Sequence, residues 1–151
     1  MIITFVGHST VKNYNETRRK LALLLEKVIS ECEEDVYCYC GGYGQFDSLC
    51  AAICTNLKRS NFKVKVCYIT PYITEQHQRK IKEYLQCNMY DEVIYPPLET
   101  VPLKFAISKR NEWMVSQADI MIAYVTHTYG GAYTTLRYAE RKKKQIINLA
   151  T

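Results

Sequence analysis

The amino-acid sequence predicts an α/β fold with a mainly parallel, doubly wound sheet and helices on both faces, in a single domain of residues 1–151. Three observations lead to this prediction. Short apolar runs rich in β-branched residues alternate along the chain with longer segments of helical period. Glycine-containing loops follow several of the short runs. The length suits one hydrophobic core, and no linker, repeat or low-complexity segment divides the chain.

The first half of the chain alternates between the strand period and the helix period. Ile2–Val6 is a β-rich run that ends at a glycine, and residues 15–32 carry leucine, valine and isoleucine at helical spacing. The next elements are a strand at 36–40, a helix at 46–58, a strand at 63–69 and a helix at 74–86. Thr74 is the expected N-cap of that last helix, because its hydroxyl can accept a hydrogen bond from the first turn.

The second half continues the alternation after an irregular stretch. Residues 91–95 are predicted as a short strand, and prolines at 97 and 102 interrupt any regular pattern between 98 and 103. The remaining elements are a helix at 105–117, a buried strand at 120–125, a helix at 132–142 and a strand at 145–149. Alternating strands and helices indicate βαβ units, and these form a parallel sheet covered on both faces.

Composition narrows the class of protein. No apolar stretch approaches the roughly 20 residues that span a bilayer, and MIITFVGHST has no basic leader, so we expect a soluble, cytoplasmic protein without a membrane partner. The seven cysteines are odd in number and lie mostly in apolar segments, which favours buried free thiols over disulfides. No histidine pairs with a cysteine at zinc-finger spacing, so neither a metal nor a cofactor is predicted. The formal charge of +5 suits an anionic ligand without identifying one.

Three loops follow predicted strands and are candidates for one binding crevice. They read GHST after the first strand, GGYGQFD after the second and THTYGGAYTT after the fifth. In a doubly wound sheet, ligands bind outside the carboxyl ends of the strands, near the point where the strand order switches. We therefore expect the three loops to converge there.

The second and third of these loops carry glycines between a strand and a helix. Such glycines let the backbone approach a phosphate, while the helix start supplies free N–H groups and a positive dipole. The expected ligand contacts are Gly41, Gly42, Gly44, Phe46 and Asp47 in one loop, and Gly130, Gly131, Ala132, Tyr133, Thr134 and Thr135 in the other. Asp47 could instead be a favourable first-turn charge, and the two threonines could be helix caps. The GGYGQFD loop matches neither the dinucleotide fingerprint nor the P-loop.

Two further segments add candidates. Gly7, His8 and Ser9 lie at the end of the first predicted strand and are candidate ligand contacts. The alternative is that Ser9 caps the following helix and that His8 has only a structural role. Arg110, beside Asn111, could offer paired donors to a phosphate, unless it is a surface arginine paired with an acid. The basic run at 141–144 is short and ends a helix, so a solvated helix end is favoured and nucleic acid is an unlikely partner.

These motifs together resemble one superfamily. RNEWMVSQADIMIAYV and GGAYTTLRYAERKKKQIINL resemble the Smf/DprA–LOG group, called SLOG, and GGYGQFDSLCAA with GHS is similar to its YpsA/YoqJ-like branch. The resemblance implies a Rossmann-like fold whose glycine loops bind nucleotides or nucleotide-derived ligands. It also implies a homodimer or a higher homo-oligomer.

One branch of that group, the Lonely Guy phosphoribohydrolases, cleaves the base from nucleoside monophosphates. Its signature has an arginine, an apolar strand and then PGGxGTxxE. The matching positions here are Arg110, Gly130, Gly131 and Thr134. Tyr133 replaces the third glycine, and Arg137 occupies the glutamate position. A guanidinium has the wrong sign to stabilise the positive charge that develops on the ribose during cleavage.

The leading hypothesis is therefore a sensor or sequestering protein for a nucleotide-type small molecule, such as an ADP-ribose-like or cyclic ligand. The two glycine loops, Arg110 and Arg137 would hold its phosphates, and no catalytic residue is assigned. One alternative is hydrolysis of nucleoside monophosphates through Asp47 or Glu140. A second is single-stranded DNA binding, which needs a basic groove lined with aromatic side chains.

Overall fold

A computed structural model describes residues 1–150, and these contain six strands and five α-helices in the predicted order. The elements are β1 (Ile2–Gly7), α1 (Tyr14–Glu31), β2 (Val36–Cys40), α2 (Gly44–Arg59), β3 (Val64–Ile69), α3 (Glu75–Gln86), β4 (Glu92–Ile94), a 3-10 turn (Leu103–Phe105), α4 (Ala106–Gln117), β5 (Ile120–Tyr124), α5 (Gly130–Arg141) and β6 (Gln145–Asn148). Thr151, the last residue of the predicted domain, lies outside the described residues.

The strands form one sheet in the order β4-β3-β2-β1-β5-β6, and every pairing in the described part of the chain is parallel. The predicted fold class is confirmed. Leu25 of α1 and Leu49 of α2 share a core cluster with Ile3 of β1 on one face. On the other face, Leu136 of α5 packs with Val115 of α4. Both sides of the sheet are therefore covered, which explains why its strands are apolar at nearly every position.

The order of the strands places a switch point beside β1. The chain winds from β1 through β2 and β3 to the edge at β4, then crosses back to pair β5 with the other side of β1. Helices on opposite faces leave a gap above the carboxyl ends of β1 and β5. Gly7 ends β1 and pairs with Tyr124, the last residue of β5, so this gap opens directly above the two strands.

The helices after β2 and β5 both begin two residues earlier than the sequence predicts. Glycine is a poor helix former, so the prediction placed both starts after the glycines. In the structure, Gly44 (φ 89°) and Gly130 (φ 90°) are the first residues of α2 and α5, with left-handed backbone angles. At α3 the prediction is confirmed, because the Thr74 hydroxyl accepts a hydrogen bond from the His77 N–H at 3.3 Å.

Gly7 permits the closest approach between the end of β1 and α2. A Cβ built at Gly7 would lie 2.3 Å from Cδ2 of Phe46, closer than any two carbon atoms pack. Phe46 is itself fully buried in the main core cluster. The predicted ligand contact at Phe46 is thus corrected: its ring is a packing element beneath the loop.

Replacing Gly7 with alanine should destabilise the protein by about 1–3 kcal/mol, because the added methyl overpacks the core against Phe46. The measurement is urea unfolding followed by circular dichroism. Gly131→Ala is the matched control, since an added Cβ at Gly131 has no heavy atom within 4 Å. In the double variant Gly7→Ala/Phe46→Leu, the total loss should be smaller than the sum of the two single losses; simple additivity would contradict the contact.

Candidate functional site

A cleft of about 420 Å³ lies above the carboxyl ends of β1, β2 and β5. Its walls come from the three loops that the sequence singled out, together with one side of α4. Of the predicted site residues, those lining it are Gly7, His8, Ser9, Gly41, Asp47, Arg110, Asn111, Gly130, Gly131 and Ala132. The volume falls within the range of small-molecule sites in proteins.

The start of α5 forms one wall of the cleft and has free hydrogen-bond donors. Within residues 1–150, the N–H groups of Gly130, Gly131 and Ala132 donate to no protein acceptor. Tyr129 is the N-cap residue and supplies no side-chain cap, and the first turn has no acidic residue. The partial positive charge of this helix start therefore faces the cleft without an acidic side chain in its own first turn, which is an arrangement that favours phosphate binding.

The start of α2 differs, because the protein itself uses its donors. The Tyr43 N–H donates to Oδ2 of Asp47 at 3.2 Å, and the Gln45 N–H donates to the Ser9 carbonyl at 2.9 Å. Gly44 lets Ser9 approach, since a Cβ there would lie 2.8 Å from the Ser9 Cα. Gly42 lies against Tyr68 in the same way, at 2.7 Å. Neither glycine lines the cleft, so the structure presents one free helix start there, where the sequence analysis expected two.

Four further predicted contacts on α5 also lie outside the residues that line the cleft. The hydroxyls of Thr134 and Thr135 donate to the carbonyls of Gly130 and Gly131, at 3.0 and 2.9 Å, inside the helix. They do not cap it, because the helix has already begun. Tyr133 packs against the core cluster beneath α5.

Arg137 lies two turns beyond the start of α5 and is the fourth of these residues. Its Nη1 forms an ion pair with Glu140 at 2.8 Å. The expectation that Arg137 faces the ligand is thereby corrected. The Arg137 guanidinium, which has the wrong sign to stabilise the developing positive charge of glycosidic cleavage, is therefore not part of the cleft lining.

Arg110 is the buried cation of the site, only 3% exposed. Its Nη1 donates to the carbonyls of Gly41 and Ile69, at 2.9 and 2.8 Å, and its Nε donates to Oδ1 of Asn111 at 2.9 Å. It is not the surface arginine of the alternative interpretation. Burial lowers the pKa of Arg110, and the charge of Asp47 opposes that effect. Arg110 mainly joins α4 to the ends of β2 and β3, and it also lines the cleft.

Asp47 is the acidic group of the cleft. Burial raises its pKa to about 6, although the hydrogen bond from the Tyr43 N–H and the positive charge of Arg110 both oppose the rise. Asp47 and Arg110 flank Gly41: a Cβ there would lie 3.0 Å from Oδ2 of Asp47 and 3.3 Å from Cζ of Arg110. The carboxyl therefore exchanges its proton close to neutral pH, as a general acid or base requires.

Three aromatic rings stack on the side of the cleft nearest α5, and we call His8, His127 and Tyr129 the ring stack. The centroids of His8 and His127 are 3.7 Å apart, and those of His127 and Tyr129 are 3.8 Å apart. Nε2 of His8 accepts a hydrogen bond from the Thr126 N–H at 2.9 Å, so the imidazole is neutral. Burial, and then the neighbouring His127, lower the pKa of His8 accordingly.

The sequence analysis did not select His127, Tyr129 or Tyr43, all of which line the cleft. The available signal was the rings of HTY immediately before the glycine pair, and the tyrosine inside GGYG. Hydrophobic periodicity does not show which way a loop side chain points, so this signal did not separate cleft residues from solvent-exposed ones.

No helix within residues 1–150 is long and apolar enough to cross a membrane. Across the same residues, no group of three or more His, Cys, Asp or Glu side chains is placed to hold a metal ion. The seven cysteines of the described chain are free thiols, and five of them are buried.

Asp47 should make stability depend on pH in a defined direction. Its folded pKa of about 6 lies above the ordinary value of 3.8, so its favourable contribution is present below pH 3.8 and is lost as the pH rises through about 6. We expect Asp47→Asn, which cannot ionise, to gain stability relative to the wild type between about pH 4 and about pH 8. Urea unfolding at several pH values checks this, and a difference that stays constant or shrinks would contradict it.

Comparison with known proteins shows likeness in structure and not in sequence. No protein-family model and no curated protein matches the chain. The structure of DNA processing protein A (DprA) from Streptococcus pneumoniae matches with a TM-score of 0.62 and 17% identity, over 95% of this chain and 48% of that one. TM1055 matches with a TM-score of 0.59 and 13% identity, over 96% of this chain and 71% of that one.

A third structure bears on partners. DprA from Helicobacter pylori, described for its single-stranded DNA binding mode, matches with a TM-score of 0.65 and 14% identity, over 97% of this chain and 63% of that one. This chain spans 48% and 63% of the two DprA chains. The expectation that nucleic acid is an unlikely partner is overturned by this finding, because a protein of the same fold binds single-stranded DNA.

The YpsA/YoqJ-like branch stays a prediction. At these identities the likeness establishes the architecture alone, and the chain shares the parallel α/β fold of these three structures.

Proposed function

We propose that this protein binds a nucleotide unit in the cleft, with a phosphate group at the start of α5. The observation that carries the proposal is the set of free N–H groups at Gly130, Gly131 and Ala132, which face the cleft without a protein acceptor in the described chain. A phosphate would accept these hydrogen bonds and would be stabilised by the helix dipole. A neutral ligand would gain much less from the same site.

The distribution of charge in the cleft supports one orientation of the ligand. Asp47 lies by Gly41, on the α2 side, where an ionised carboxylate would repel a phosphate and accept hydrogen bonds from hydroxyl groups. Arg110 offers donors at the same place, so a ribose, or a second phosphate paired with Arg110, suits this end. A nucleotide carries both groups in one small molecule, because its anionic phosphate is bonded to a sugar that carries hydroxyl groups.

The proposed role is sensing or sequestering a nucleotide-derived ligand, of which ADP-ribose-like and cyclic nucleotides are the predicted classes. We place it in the cytoplasm, since free thiols suit a reducing compartment. The homodimer expected from the family resemblance stays a prediction that analytical ultracentrifugation would test. Hydrolysis of the ligand stays an alternative, supported by the pKa of Asp47 near 6. Release of free adenine from AMP, abolished in Asp47→Asn, would favour that alternative.

Gly131→Asp should separate phosphate binding from folding. A Cβ added at Gly131 meets no neighbouring heavy atom within 4 Å, and an aspartate there would place a carboxylate in the first turn of α5, where it competes with a bound anion for the free N–H groups. We expect calorimetry to give an affinity for AMP at least about tenfold weaker, while the free energy of unfolding rises by about 0.3–1 kcal/mol through the helix dipole. Gly131→Asn is the matched control of equal size without charge. Equal AMP affinity in the two variants would overturn the site.

Single-stranded DNA binding is the second candidate function, supported by the fold shared with Helicobacter pylori DprA. A strand would place one of its nucleotides in the same cleft. The exposed cations Arg141, Lys142 and Lys143 lie at the far end of α5. A helix of 12 residues is about 18 Å long, so these cations do not extend the cleft itself.

An oligonucleotide should therefore compete with AMP if the strand uses this cleft. We expect AMP to displace a fluorescent oligo-dT measured by anisotropy, and Gly131→Asp to weaken both ligands together. The logarithm of the affinity for the oligonucleotide should fall by about 0.7 per tenfold increase in salt for each phosphate that the protein neutralises. Oligonucleotide binding that AMP and Gly131→Asp leave unchanged would place the strand on another surface.

A further inference from the structure

The ring stack ends in an aromatic face against which no other ring within residues 1–150 packs. His8 is the inner ring, His127 the middle ring and Tyr129 the outer ring. The angle between the ring planes of Tyr129 and His127 is only 17°. Tyr129 is 68% exposed although one face lies on His127. Its second face is therefore open, and a large exposed ring of this kind needs a physical reason.

The stack is held in place before any ligand arrives. His8 is fixed by the hydrogen bond from the Thr126 N–H and by an edge-on contact with Tyr124, whose centroid is 6.2 Å away. Nδ1 of His127 lies 3.0 Å from the Tyr129 carbonyl, and this contact sets the middle ring against the outer one. Little side-chain freedom remains to be lost when another ring is added to the stack.

The open face is next to the free donors of α5 in the chain. Tyr129 is the N-cap residue of the helix, and Gly130, with the first unused N–H, follows it directly. Both line the same cleft. A ligand that carries an anionic group and a flat aromatic ring on one short framework can therefore use the two features at once.

We propose that the open face of Tyr129 is a nucleobase-stacking site, so that the cleft selects nucleotides with an intact base over sugar phosphates. This inference rests on the proposed function, because the phosphate at α5 brings the base to the ring. Stacking depends on contact area and not on base edges, so the larger purines bind more tightly than pyrimidines.

The test compares AMP with ribose 5-phosphate, which has the same phosphate and sugar but no base. Calorimetry on the wild type should show AMP binding about tenfold more tightly than ribose 5-phosphate. Tyr129→Ala should abolish that ratio by weakening AMP alone, while Tyr129→Phe, which keeps the ring, should preserve it. Tyr14→Ala, an exposed tyrosine on α1 away from the cleft lining, is the control and should change neither affinity.

The outcomes separate this inference from the proposed function. Equal affinities for AMP and ribose 5-phosphate in the wild type would overturn the stacking site and leave the phosphate site standing. A Tyr129→Phe variant that behaves like Tyr129→Ala would also overturn it, since the hydroxyl and not the ring would then be responsible. Failure of both ligands to bind at millimolar concentration would instead refute the proposed function itself.

Discussion

The buried guanidinium of Arg110 is the interaction on which the cleft depends. One amino group donates to the carbonyls of Gly41 and Ile69, at the ends of two neighbouring strands, and so gives these acceptors a donor from α4. It also positions α4 over the sheet and provides the positive charge that partly stabilises the Asp47 carboxylate. Removing one partner of a buried charged pair typically costs about 3–5 kcal/mol, which is a large fraction of the free energy of unfolding of a typical domain.

Around that fixed point the cleft has two chemically different sides. The α5 side has free N–H groups, which suit an anion, and stacked rings, which suit a flat aromatic group. The α2 side has its helix donors occupied by Asp47 and Ser9, and so provides for hydroxyl groups. Two glycine loops that look alike in sequence thus have different roles, because the acid at position 47 already serves as the anion of its own helix.

The fold shared with DprA and TM1055 is compatible with several functions, since a free nucleotide and one unit of a DNA strand carry the same recognisable groups. The correction on nucleic acid came from likeness between structures at 13–17% identity, where sequence comparison finds no curated relative. What separates the candidate functions is local. A carboxyl with a pKa of about 6 suits acid–base chemistry, whereas free helix donors beside stacked rings suit the binding of a nucleotide unit, whether free or within a strand.

The sequence by itself determined the order and type of the elements, because apolar periodicity directly reports which residues must leave water. It also determined that three loops after strand ends would meet, since parallel strands point the same way. Only the tertiary structure decided how side chains within those loops are used. Arg137 and Thr134 lie outside the cleft lining, and Phe46 is part of the core. Tyr129 belongs to a stack that includes His8, more than a hundred residues away in sequence. Such contacts depend on helix starts and long-range packing, which no local pattern encodes.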